Sequence, residues 1–155
     1  MYRSTLAYLS EWKGKNSRKP LVIRGARQVG KSFLVRMLAQ QSFENLVEIN
    51  LERERDAASL FASQDPGSIL PLLAARYGRP VTPGGTLLFL DEIQAAPELL
   101  AGLRYFHEQL PAQHVIAAGS LLDLTLADQR YSMPVGRIEY LHLGPMTFGE
   151  LLDAS

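Results

Sequence analysis

Apolar positions along the chain follow two rhythms. Short continuous runs occur at Leu21–Ile23, Leu87–Leu90 and Val115–Ala118, the pattern of strands covered on both faces. The run from Leu46 to Glu52 alternates instead, with Val47, Ile49 and Leu51 set against Glu48, Asn50 and Glu52. Period two with one wetter face predicts a strand near a sheet edge. A fifth segment, Arg137–Leu143, is more mixed. Between these runs the spacing turns helical. Tyr2, Leu6, Leu9 and Trp12 share one face of an N-terminal helix that Gly14 stops. Phe33, Leu34, Met37 and Leu38 share another, and Leu99, Leu100, Leu103, Phe106 and Leu110 follow Pro97, a good first helical residue. Strands alternating with helices predict an α/β domain, a mainly parallel sheet with helices on both sides.

Connections are read from composition. The segment from Lys13 to Pro20, KGKNSRKP, is a basic linker expected to be merely solvated, and RPVTPGG (Arg79–Gly85) is a surface turn before the third long strand. The final TFGELLDAS begins another helix. No repeat and no low-complexity tract is present in the sequence.

The chain of 155 residues suits one domain, and its 46% hydrophobic content is enough for a core. Sixteen basic and sixteen acidic side chains cancel, so global charge argues for neither nucleic acid nor a membrane surface. Only the basic linker raises nucleic-acid binding as an idea, and nothing else supports it. Cysteine is absent, which excludes disulfides and thiolate metal sites. His107, His114 and His142 lack metal-ligand spacing and read as surface or strand-end residues. No apolar run approaches the roughly 20 residues that would span a bilayer. The N-terminus lacks the apolar stretch of a signal peptide, so the expected location is cytoplasmic.

Chemistry concentrates in two places. GARQVGKS, Gly25–Ser32, matches G-x-x-x-x-G-K-[ST] between a predicted strand and a predicted helix. A bare backbone of this kind lets successive N–H groups of Gly25, Ala26, Arg27, Gln28, Val29, Gly30 and the start of the helix at Phe33 surround a phosphate. The helix dipole adds positive potential. Lys31 is placed to reach β- and γ-phosphates, and the Ser32 hydroxyl to ligate Mg²⁺. Arg24, Arg27 and Arg36 make the neighbourhood basic.

The second place is TLLFLDEIQ, where an apolar strand ends in Asp91 and Glu92. A carboxylate at the carboxyl end of a parallel strand faces the ligand crevice. Asp91 suits holding Mg²⁺, and Glu92 suits orienting and deprotonating an attacking water. The plainer reading is a solvated acidic helix start. At the end of the next strand Ser120 either contacts the γ-phosphate or the water, or only caps a helix. Gln94 either relays the nucleotide state to the following helix or is a loop residue. Arg137, after a glycine, either supplies positive charge to a γ-phosphate or is a strand-start arginine that covers the sheet edge or pairs with Asp123 or Asp128.

Taken together, KPLVIRGARQVGKSFLVRMLA, TLLFLDEIQAAPELLAGLRYFHE, HVIAAGSLL and PVGRIEYLHLGPMTFGELL resemble prokaryotic AAA-type ATPases of the kind that carry a C-terminal DUF4143 region. The resemblance runs from about Tyr2 to Leu152. It implies a three-layer P-loop NTPase fold with sheet order 5-1-4-3-2. It also implies Walker A at Gly25–Ser32, Walker B at Leu87–Glu92 and a sensor-one position at Ser120. Members continue past the position of Ser155, so residues 1–155 are expected to be the ATPase core alone, with residues 1–19 an N-terminal helix and linker. The expected ligands are ATP or ADP and Mg²⁺. Self-association, or C-terminal domains of a longer chain, are the expected partners. The activity expected is ATP hydrolysis that drives a conformational change. The alternatives are a nucleotide-held switch with little turnover and a small-molecule kinase, the latter disfavoured by the adjacent Glu92.

Overall fold

The computed structural model describes residues 2–15, 18–25, 30–120 and 138–143. Five parallel strands form one sheet: β1 (Leu21–Gly25), β2 (Asn45–Asn50), β3 (Thr86–Asp91), β4 (His114–Ser120) and β5 (Glu139–Leu143). Their order is β2-β3-β4-β1-β5, the expected one read from the other edge. Four α-helices accompany them: α1 (Tyr2–Gly14), α2 (Lys31–Ser42), α3 (Pro66–Tyr77) and α4 (Glu98–Gln109). Two 3-10 turns, Arg55–Phe61 and Ile93–Ala95, complete the described elements.

Alternation of side chains along each strand divides the core into two layers. Val22, Ile49, Leu88, Leu90, Val115 and Ala117 face one way, joining Phe61, Ile69, Leu73, Leu100, Leu103 and Phe106 from the 3-10 turn, α3 and α4. Leu21, Ile23, Leu87, Phe89, Ile116 and Ala118 face the other way, toward Leu9, Trp12, Leu34 and Leu38 of α1 and α2. The three strands read as doubly covered are the three central ones. Strand β2 lies at an edge, with Val47 and Ile49 buried and Glu48 and Asn50 half-buried. It ends two residues earlier than the alternation suggests. The Asn50 side chain accepts hydrogen bonds from the backbone N–H groups of Glu52 and Arg53 at 3.0 and 3.2 Å, which turns the chain.

Three expectations need correction. On α2 the buried stripe is Lys31, Leu34, Val35, Leu38 and Ala39, while Phe33 is 51% exposed. The linker does more than dissolve. Arg18 donates to the carbonyls of Lys13 and Pro111, the Trp12 indole donates to the Lys19 carbonyl at 2.7 Å, and Lys15 pairs with Glu139 at 3.1 Å. Glu139 also accepts from the Tyr8 hydroxyl, so α1 and the linker are tied to β5. His114 does begin a strand, as expected, but it is buried rather than superficial.

Candidate functional site

The carboxyl ends of the central strands bring the predicted residues together. Gly25 ends β1 and lies in register with Ser120, the last residue of β4. Asp91 ends β3 opposite Asn50 of β2. Phe89 and Asp91 are two positions apart, so the pleat puts both on the α2 side of the sheet. Phe89 packs among the α2 residues, and the Ser32 hydroxyl at the first turn of α2 donates to Asp91 Oδ2 at 2.7 Å. Ile116, Ala118 and Ser120 share that parity, which sets Ser120 on the same face. It is 8% exposed.

Helix α2 starts at Lys31, inside the Gly25–Ser32 motif. Gly30 precedes it with φ 84°, a left-handed conformation in which a side chain would be strained, and it offers no side chain to cap the first-turn N–H groups. Lys31 is 8% exposed, and its ammonium donates to the Gly25 carbonyl at 3.1 Å. The cation therefore sits at the end of β1. Ala26, Arg27, Gln28, Val29 and Arg137 lie outside the described residues. Of the other basic residues, Arg36 is engaged elsewhere, donating to both Glu48 carboxylate oxygens at 2.9 and 2.6 Å, and the Arg24 guanidinium lies 5.4 Å over the Tyr140 ring. Neither needs a phosphate to account for its place.

Asp91 is buried, and loss of water pushes its carboxyl above the usual range, with the Ser32 hydroxyl and the Glu92 N–H acting in the opposite direction. A hydroxyl and a carboxylate 2.7 Å apart form a hard-oxygen donor set that fits Mg²⁺, which usually takes one or two protein ligands and fills the rest with water and phosphate. The described residues contain no cluster of three or more His, Cys, Asp or Glu that could cage a metal.

Glu92 follows in a conformation the sequence did not suggest. Its φ and ψ are 54° and 48°, left-handed and costly for a residue with a side chain. Its N–H donates to Asp91 Oδ1 at 2.9 Å. Its carboxylate accepts from the Gln94 amide at 2.5 Å. The chain thus turns sharply at the end of β3 and does not run straight into a helix, so the two adjacent carboxylates leave the strand in different directions.

A family model described as an AAA domain matches residues 17–152. The chain belongs to this AAA-domain family. No curated protein matches it. Helix α1 lies outside the matched segment, yet it supplies Leu9 and Trp12, both fully buried, to the layer that holds α2 against the sheet. Among the described residues no helix is long and apolar enough to cross a membrane.

Proposed function

We propose that this AAA-domain chain is an ATPase that hydrolyses Mg²⁺·ATP to ADP and phosphate. The observation that carries the reading is the 2.7 Å contact between Ser32 and Asp91, which joins the phosphate-loop helix to the strand-end carboxylate. In this reading the backbone from Gly25 through Phe33, with Ala26, Arg27, Gln28, Val29 and Gly30 between, surrounds the phosphates, and Lys31 binds the β- and γ-phosphates. Ser32 and Asp91 hold the Mg²⁺, directly or through water. When bound, the ion neutralises charge on the phosphate oxygens. Glu92 orients a water and takes its proton as the water oxygen attacks the γ-phosphorus and the bond to ADP breaks. Ser120 contacts the γ-phosphate or that water. Arg137, in its own site or a neighbouring subunit's, adds charge where it develops.

The motif resemblance further supports residues 1–155 as the core of an ATPase that carries a C-terminal DUF4143 region. Phosphate release from Mg²⁺·ATP without any acceptor, followed against protein concentration, tests the activity. Glu92→Gln should keep nucleotide bound and suppress release. Tight binding with no turnover would overturn hydrolysis in favour of a nucleotide-held switch, and turnover only with an added acceptor would favour a kinase.

A further inference from the structure

Gln94 sits in the short 3-10 turn Ile93–Ala95, between the strained Glu92 and helix α4. Ile93 is fully buried and fixes this turn to the core. Strand β4, which ends in Ser120, packs against the same turn. The Gln94 side chain reaches back two residues to donate its amide N–H to Glu92 Oε2 at 2.5 Å. The orientation of that amide follows from chemistry, since its oxygen would repel a carboxylate that its nitrogen attracts. The amide oxygen is then left over. It is buried and has no hydrogen-bond partner among the described residues. A buried acceptor left unsatisfied costs free energy comparable to a lost hydrogen bond, so it calls for an explanation.

We propose that Gln94 is a positioning residue for the hydrolytic reaction: its amide nitrogen fixes the Glu92 carboxylate, and its amide oxygen is the second acceptor for the water that Glu92 deprotonates. This rests on the reading of Glu92 as the base. A water about to attack phosphorus has two hydrogens. One goes to the Glu92 carboxylate, and the other needs an acceptor if the oxygen lone pair is to point at phosphorus. One planar amide can serve both purposes, because the nitrogen that restrains the base and the oxygen that takes the second hydrogen bond are attached to the same carbon. The left-handed backbone at Glu92 belongs to the same arrangement. It turns the chain out of β3 just where residues 92 and 94 meet, a pair that a regular helix would set on different faces.

The test compares Gln94→Ala, Gln94→Glu and Glu92→Gln with the unaltered 155-residue chain, using Mg²⁺·ATP for turnover and a non-hydrolysable ATP analogue for affinity. Gln94→Ala should leave analogue affinity and thermal midpoint unchanged and lower kcat roughly ten- to a hundredfold, the value of a hydrogen bond to a charged group. Gln94→Glu keeps the shape but replaces the donor with a second negative charge, and it should lower kcat at least as far. Wild-type kcat in Gln94→Ala, or a loss of affinity and thermal midpoint together, overturns the proposal. If Glu92→Gln is inactive while Gln94→Ala is fully active, only the role of Gln94 fails. If Glu92→Gln also turns over normally, the reading of Glu92 fails with it. Should the chain bind the analogue without hydrolysing ATP, the Gln94 side-chain amide proton reports the contact by NMR. A resonance that moves in Glu92→Ala supports the restraint, and one that does not move overturns it.

Discussion

His114 offers a quantitative test of how the layer beneath α2 is held. Its ring meets Trp12 edge-on at 5.7 Å between centroids and Phe43 at 4.9 Å. Nε2 lies 3.2 Å from the Lys13 carbonyl, and the buried Nδ1 has no partner among the described residues. Burial, then the positive charge of Arg18, lowers its pKa from 6.5 to about 4. The Lys13 ammonium adds to this effect, while the backbone carbonyls of Lys13 and Ala112 oppose it. The folded protein therefore keeps this imidazole neutral at a pH where the unfolded chain protonates it. Any such group contributes its full stability above pH 6.5 and loses it progressively as the pH falls toward 4. At about 1.4 kcal/mol per pKa unit, the loss across that window is about 3 kcal/mol, a large share of a typical domain's stability. Urea unfolding at several pH values between 8 and 4 measures it. In His114→Gln, which keeps a donor for the Lys13 carbonyl, this component should vanish. Other titrating groups, Asp91 among them, are common to both chains and cancel in the difference. Parallel pH profiles for the two proteins would refute the reasoning.

Lys31→Ala should reduce affinity for ATP about tenfold or more while leaving the fold intact, as expected for a charge-assisted phosphate contact; calorimetry checks this. Trp12→Ala should cost about 3–5 kcal/mol in denaturant unfolding, because the indole is fully buried and its N–H is bonded to Lys19, although it lies outside the segment that matches the family. Arg137→Ala should slow phosphate release by roughly a thousandfold or more if the guanidinium acts on the γ-phosphate. A rise of specific activity with protein concentration that disappears in this variant assigns it to a neighbouring subunit's site.

The central strands were legible because burial on both faces leaves no polar position in Leu87–Leu90 or Val115–Ala118, and β2 because an edge strand alternates. Helix α3 was harder to see. Its start reads as a turn, since Asp65, Pro66 and Gly67 are turn residues in most contexts. Here Asp65 caps the helix by accepting from the Gly67 N–H, Pro66 takes the first helical position, and Gly78 closes it with φ 68°. Those three signals were available. The environment of His114 was not, because its neighbours Trp12 and Phe43 come from distant segments. Nor was the return of Gln94 to Glu92, which depends on a backbone conformation that sequence rarely announces for a glutamate. At the site, motif spacing named Ser32 and Asp91 but not their contact, which arises from the parity of β3 and the placement of α2.

The sheet order also bears on how the molecule is made. Strand β1 lies between β4 and β5, with Leu21 paired to Ile116 on one side and to Glu139 on the other. An early strand that hydrogen-bonds only to late ones has nothing to pair with while the middle of the chain is being synthesised. Such long loop closures are slow to form. During synthesis β2 and β3 can join first, since β3 follows β2 in the chain and lies next to it in the sheet. The strand leading into Gly25–Ser32 then enters by insertion once β4 and β5 have emerged. On the proposed reading, nucleotide retention needs the chain through β5, and a ribosome-bound nascent chain that ends before Leu143 should fail to retain ATP even though Gly25–Ser32 has long been translated.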